Sequence, residues 1–260
     1  VIMPTYNAGK YLADSMNSIL NQTYKNLELL ITDDASTDPT TLQLLKEYAS
    51  KDERVNILYL KENHGAGFAR NKSIERAKGR YIAFCDSDDR WTTDKLEKQI
   101  AFMNKKKCAL SCASYIIFDG ETQDEIGFCT APKKITYGMM KRDNKVGCLT
   151  AIYDVQMLGR KFFMPTIRKR QDWALFLQII RECKVCYAYP DKPLAYYCMR
   201  RNSISSNKMS LMKYNIAVYK EILGFHPIKA NLYFFTLFLP TYGAKILKRK
   251  FDSYTFTHKK

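Results

Sequence analysis

The 260-residue sequence contains no apolar run as long as the about eighteen residues that a membrane span requires. Its longest candidate, Leu232 to Leu239, is interrupted at Pro240. No signal peptide and no internal repeat are visible in these residues, and a short leader upstream of them stays open. Val1-Ile2-Met3-Pro4 reads as the middle of a strand, so the native chain is expected to begin a few residues upstream. Acidic residues are in deficit, 26 against 42 Lys and Arg, which leaves a formal charge of +16. That balance predicts anionic company, whether nucleic acid, nucleotide phosphates or an anionic membrane face, and does not choose among them. The composition is not that of a disordered chain, with 46% apolar and 13% aromatic residues.

Eight cysteines in a chain of this length do not make a disulfide scaffold. Cys85 and Cys148 lie in apolar, strand-like contexts where cysteine serves as a small hydrophobe. Cys108 and Cys112, with Cys183-Lys184-Val185-Cys186, offer donors for zinc, but the two pairs differ in spacing. A reducing cytoplasm is the simpler account.

The first hundred residues alternate strand and helix. Val1 to Thr5 reads as a strand, and Leu12, Met16, Ile19 and Leu20 then repeat at helical spacing. Leu27 to Ile31 is a second strand ending at Asp33-Asp34. Asp38-Pro39 supplies an N-cap and a first-turn proline for the next helix. Val55 to Leu60 is a third strand, Gly65 to Gly67 opens a helix, and Tyr81 to Cys85 is a short buried strand. Asp94 with Glu97 resembles a capping box at the start of a further helix. Beyond residue 105, strands are expected at 109–118, 146–153, 185–189 and 194–198, a loop-rich charged stretch at 119–145, and a helix at 172–183. From Lys208 the chain reads as helical, aromatic and basic. The alternation predicts an α/β fold with a mostly parallel sheet, right-handed crossovers and helices on both faces.

Three carboxylates in four positions follow the Tyr81 strand, in Asp86-Ser87-Asp88-Asp89. Open α/β sheets bind their ligands at the carboxyl ends of their strands. Asp86 and Asp88 leave one side of an extended segment and offer hard oxygens to a divalent cation that keeps waters and a substrate phosphate. Taken alone, an Asp-x-Asp-Asp turn is more often a solvated helix cap. Three further polar clusters, Thr5-Tyr6-Asn7, Asp33-Asp34 and Asn63-His64-Gly65, end neighbouring strands, and a parallel sheet brings all four to one rim. A carboxylate there, Asp33 or Asp34, suits the ring N–H of uracil, and Arg70 suits the base or ribose.

These residues, in the order Val1 to Asn7, Glu28 with Asp33-Asp34-Ala35-Ser36-Thr37-Asp38, Asn63 with Gly65 and Ala69-Arg70-Asn71, and Gly79-Arg80-Tyr81-Ile82 with Asp86 to Asp89, resemble glycosyltransferase family 2. The resemblance spans most of residues 1–100. It implies the GT-A fold, a nucleotide-diphospho-sugar donor (most often a UDP-sugar) and transfer with inversion. It implies that Pro4, Thr5, Tyr6 and the Asp33-Asp34 pair hold the nucleoside, and that Asp88 with Asp86 faces Mn²⁺ or Mg²⁺ on the diphosphate. Members carry a base Asp in an acidic-Asp-aromatic context; Arg170-Gln171-Asp172-Trp173 matches with Gln171 in place of the first carboxylate, which points to Asp172 as base. Met199-Arg200-Arg201-Asn202-Ser203-Ile204-Ser205 looks like the late basic segment of the family, with Arg200 or Arg201 on the diphosphate; the usual tyrosine-arginine pair is Tyr197-Cys198.

The expected division is a nucleotide-sugar half at 1–105, an acceptor-binding half of the same domain at 106–207, and a basic-aromatic helical extension at 208–260. Lys229 to Lys250 mixes aromatics with a basic run and suits either packing on the domain or contact with anionic lipid. The latter fits a glycan acceptor carried on a polyprenyl diphosphate, used in surface polysaccharide assembly at the cytoplasmic face of the membrane. Two other readings compete: a basic nucleic-acid or membrane scaffold with a vestigial nucleotide site, and a nucleotidyltransferase. The first lacks the interleaved aromatics of an RNA platform, so no nucleic acid is expected. The second lacks more than Ala8-Gly9-Lys10 as a phosphate loop.

Overall fold

The computed structural model describes residues 1–200 and 208–258. Its first three strands, β1 (Ile2–Thr5), β2 (Leu29–Asp33) and β3 (Val55–Tyr59), pair in parallel in the order β1-β2-β3. Every residue of β1 and β2 is buried, which is why Leu29-Leu30-Ile31 is a continuous apolar run rather than an alternating one. Helices α1 (Tyr11–Leu20), α2 (Pro39–Lys51) and α3 (Ala66–Arg76) follow them in turn. The α1 residues Leu12, Met16, Ile19 and Leu20 face the core, and Asp38 caps α2 by accepting from Thr41 N at 2.8 Å.

The next strand, β4 (Tyr81–Ala83), continues the sheet through a parallel bridge between Ile2 and Phe84. After it come β5 (Arg90–Trp91), α4 (Lys95–Lys106), β6 (Leu110–Cys112), β7 (Tyr115–Asp119), β8 (Glu125–Cys129), β9 (Lys134–Thr136) and α5 (Tyr137–Arg142). Then follow β10 (Ile152–Asp154), α6 (Val155–Leu158), α7 (Gln171–Cys183), β11 (Val185–Ala188) and β12 (Ala195–Met199). The large sheet runs on in the order β4-β10-β6-β11-β9, and β5-β12-β7-β8 forms a smaller one. The sheet is thus parallel through its first half and mixed beyond, because β10 runs against both β4 and β6.

Several boundaries differ from those expected of the sequence. The 109–118 segment is two strands, split at Ala113-Ser114 so that β6 and β7 enter different sheets. The 119–145 stretch is not mainly loop: β8 and β9 lie in it, each on a sheet edge where charged residues are tolerated. Of 146–153 only the end is a strand, since Cys148–Thr150 forms a single tight turn. Asp94 does not close a capping box; it accepts from Thr92 and pairs with Lys98 and Lys192, while Glu97 accepts from Thr23.

The C-terminal region holds α8 (Lys208–Ala217), α9 (Pro227–Tyr233) and α10 (Leu239–His258), with wider π-helical turns at Val218–Ile222 and Phe234–Phe238. The second lies just ahead of Pro240, whose missing N–H and bulky ring interrupt regular α-helical bonding. Phe234 and Phe238 are buried, and Phe238 lies 5.5 Å from the ring of Trp173 on α7. One core joins Ile2, Leu30 and Phe84 to Trp173, Phe176, Tyr219 and Phe234, so it takes residues from all three expected segments.

Candidate functional site

The carboxyl ends of β1, β2 and β4 open into one cleft of about 1630 Å³, and its other walls come from the loops around 144–149 and 164–172 and from α10. Pro4, Thr5, Tyr6, Asp34, Arg70, Asp86, Asp88, Asp172 and Arg200 all line it. Four strand-end clusters far apart in sequence therefore share one rim, as the alternation of strand and helix requires. Arg201 lies outside the described residues.

Asp33 and Asp34 divide their tasks. Asp33 is 2% exposed and sits behind the cleft, accepting from Ser36 N at 3.1 Å and from Ser36 Oγ. Asp34 reaches the cleft wall, where its two oxygens accept from His64 N at 2.8 Å and Gly65 N at 2.7 Å. This clamp holds the start of α3, and Gly65 takes a φ of +90° there, which a side chain would disfavour. Tyr6 stands half exposed at the rim. Thr5 Oγ1 is buried without a hydrogen-bond partner among the described residues, an unspent polar group at the cleft.

The acidic turn is bracketed by two arginines. Arg70 lies buried in α3 with Nη2 2.5 Å from Asp86 Oδ1, while its Nε has no partner among the described residues. Burial opposes the guanidinium charge, but the Asp86 carboxylate outweighs it and holds the Arg70 pKa above the ordinary arginine value. On the other side Arg200 Nη2 lies 2.6 Å from Asp88 Oδ2. The close approach of Arg200 depends on Gly120, where a Cβ would sit 2.8 Å from Cys198 Sγ and 3.3 Å from Arg200 Cγ. Asp89 is buried and accepts from Cys198 N at 2.9 Å, which ties the turn to β12. Burial, then the neighbouring Asp86, raise the Asp88 pKa; burial, then Asp88 and Asp86, raise that of Asp89. No cluster of three His, Cys, Asp or Glu side chains able to hold a metal occurs among the described residues. Asp86 and Asp88 nevertheless fit a hard divalent cation that takes its remaining oxygens from a diphosphate and water, since their crowding favours added positive charge.

Arg170 holds the cap position with a φ of +68°, and Asp172 is the second residue of α7. Its Oδ2 accepts from Asn144 Nδ2 at 2.8 Å. The Asn144 carbonyl in turn accepts from Lys245 Nζ of α10 at 2.5 Å, and Lys245 also pairs with Asp143. Gln171 packs against Gly67 at the start of α3. No motif marks Asn144 or Lys245, because both reach Asp172 through contacts between distant segments. Cys148 packs against the core as its apolar context predicts and also lines the cleft, its thiol pushed up by burial and held within the fields of Arg70, Asp86 and Asp172. Elsewhere Cys112 and Cys186 meet as buried thiols 3.8 Å apart.

Comparison with known proteins shows the family and the fold. The family described as glycosyl transferase family 2 matches residues 1–163. The putative teichuronic acid biosynthesis glycosyltransferase TuaG of Bacillus subtilis is 43% identical over 233 residues, 89% of this chain and 90% of that protein. The UDP-Glc:alpha-D-GlcNAc-diphosphoundecaprenol beta-1,3-glucosyltransferase WfgD of Escherichia coli is 37% identical over 82% of this chain and 81% of its own. Among solved structures, S. aureus TarS in complex with UDP-GlcNAc superposes with a TM-score of 0.67 at 21% identity, covering 89% of this chain and 69% of that one. The Pyrobaculum calidifontis mannosyltransferase PcManGT, with GDP-Man and Mn²⁺, superposes at 0.65 with 17% identity over 95% and 73%. These last two share the fold.

Proposed function

The chain belongs to glycosyltransferase family 2, and from that premise we propose that it transfers a sugar, with inversion, from a UDP-sugar to a glycan carried on a polyprenyl diphosphate. The observation that carries this reading is the convergence of Thr5, Tyr6, Asp34, Arg70, the Asp86 to Asp89 turn and Asp172 in one cleft. The WfgD relative acts on a diphosphoundecaprenol-linked acceptor, and the TarS neighbour holds UDP-GlcNAc, which supports both substrate classes here.

In this mechanism the nucleoside lies along Pro4, Thr5 and Tyr6, beside Asp34 and Arg70. Asp88, with Asp86, would hold Mn²⁺ or Mg²⁺. When bound, that cation neutralises charge gathering on the departing diphosphate. Arg200, already beside Asp88, supplies a second positive group on the same side. Asp172 takes the proton of the acceptor hydroxyl as its oxygen bonds to the anomeric carbon and the bond to the diphosphate breaks. Asn144 holds one Asp172 oxygen and so fixes the direction of the other.

The enzyme works at the cytoplasmic face of the membrane. No helix of the described residues is long and apolar enough to cross it. Ile228, Leu232, Phe235 and Leu239 instead recur at helical spacing, each 39–74% exposed, close in sequence to the exposed cations Lys229 and Lys250. That pairing of apolar row and positive charge suits an anionic bilayer surface. The deciding experiment offers UDP-, GDP- and dTDP-sugars with Mn²⁺ and scores nucleotide binding and slow donor hydrolysis. Metal-dependent binding and hydrolysis of a UDP-sugar are expected; absence of any metal-dependent nucleotide binding would sink the reading.

A further inference from the structure

The cleft is electrically divided. Its donor end carries Asp34, Asp86, Asp88 and Asp89, with Arg70 and Arg200 as the cations that balance Asp86 and Asp88. The other end, around Asp172, is strongly basic. Lys145 and Lys245 there share Asp143, and Arg170 donates to Asn215. Arg168, Lys248 and Arg249 line the same cleft with no carboxylate of the described residues at ion-pair distance.

Helix α10 builds much of this basic wall. Thr241, Ala244, Lys245, Lys248, Arg249 and Asp252 line the cleft at intervals of three and four, a single helical face. The face is held in place relative to the base by the path Lys245 to Asn144 to Asp172. A different face of α10 exposes Leu247, Phe251 and Tyr254, each more than 60% accessible. One helix thus presents to the cleft two cations, Lys248 and Arg249, with no ion-pair partner among the described residues, and an apolar row to the outside.

A neutral glycan would gain nothing from cations held without counter-ions, which repel one another at a cost to stability. The donor diphosphate is matched at the opposite, carboxylate-bearing end. The basic end therefore calls for a second polyanion with an apolar continuation. We infer that Lys248 and Arg249 of α10, with Arg168 on the facing loop, form a binding subsite for the diphosphate of a lipid-linked acceptor. This rests on the proposed reaction and assigns residues to its acceptor. Two adjacent phosphates meet cations from two walls, and the lipid chain leaves along the apolar side of α10 toward the bilayer.

The test uses decyl diphosphate as probe, titrated calorimetrically into the full chain with UDP and Mn²⁺ at saturation. The wild-type protein is expected to bind it in the presence of UDP, with decyl phosphate at least tenfold weaker and decyl maltoside weaker still. Lys248→Ala with Arg249→Ala is expected to lose at least tenfold in affinity for the probe while keeping its affinity for UDP. Arg168→Ala, a separate variant on the other wall, is expected to show the same selective loss. Unchanged probe affinity in both variants would overturn the subsite, as would displacement of the probe by UDP or equal binding of decyl maltoside. Failure of UDP to bind at all, with probe binding intact, would strike the proposed donor and leave this subsite standing.

Discussion

At the scale of single residues, the proposed reaction rests on Asp172 and on what holds it. Asp172→Asn retains the shape and the contact with Asn144 but cannot accept a proton, so turnover is expected to fall at least a thousandfold with UDP affinity unchanged. Asn144→Ala frees the carboxylate to rotate, and kcat is expected to drop about tenfold while the KM for the donor stays constant. A steady-state comparison of the two variants separates chemistry from positioning. Lys95 offers a test of a different kind. It is fully buried beneath Trp91, bonded to Gln99 Oε1, and burial lowers its pKa from 10.5 to about 7. Below that value both folded and unfolded chains carry the proton and the cost of burying it is fully present. Between about 7 and 10.5 the unfolded chain binds more protons, so this group makes stability rise with pH. Lys95→Met is expected to lose that rise, read as the difference between wild-type and variant urea midpoints at pH 7 and pH 10.

At the scale of elements, α7 and the C-terminal helices share one aromatic seam, in which Trp173, Tyr219 and Phe238 are in ring contact. Phe238→Ala is expected to cost about 3 kcal/mol, measurable by denaturant unfolding, because it removes a side chain that is 2% exposed. Strands and helices of the first hundred residues were legible in the sequence because each is local: an apolar run, a capping Asp38, a turn after Tyr81. The later strands were not. Glu125-Ile126-Gly127-Phe128-Cys129 is short, begins with a charge and owes its conformation to pairing with β7 and to Ser253 of α10, which bonds Phe128 N at 3.0 Å. Such a strand is specified by partners that a linear reading cannot supply. The site shows the same split. The carboxylates on the rim announce themselves by spacing, whereas Asn144, Lys245 and the cleft-lining Cys148 become visible only once α10 closes on the loop before β10.

At the scale of the whole molecule, the proposed membrane contact combines net charge with an exposed apolar row. Sedimentation with vesicles containing phosphatidylglycerol is expected to pull the protein down at low salt and progressively less as salt is raised. Leu232→Ser with Phe235→Ser, both on the exposed row, is expected to weaken vesicle binding severalfold while leaving UDP affinity intact. Retention on neutral vesicles alone would argue against the electrostatic part of this contact. The path from Lys245 through Asn144 to Asp172 has a further consequence for how such a protein diversifies. A C-terminal helix borrowed from a relative with another acceptor would bring its own register and leave the host's Asp172 unsupported. Recombination within the family should therefore succeed when residues 143–145 travel with 239–258, and yield inactive hybrids when either piece crosses alone.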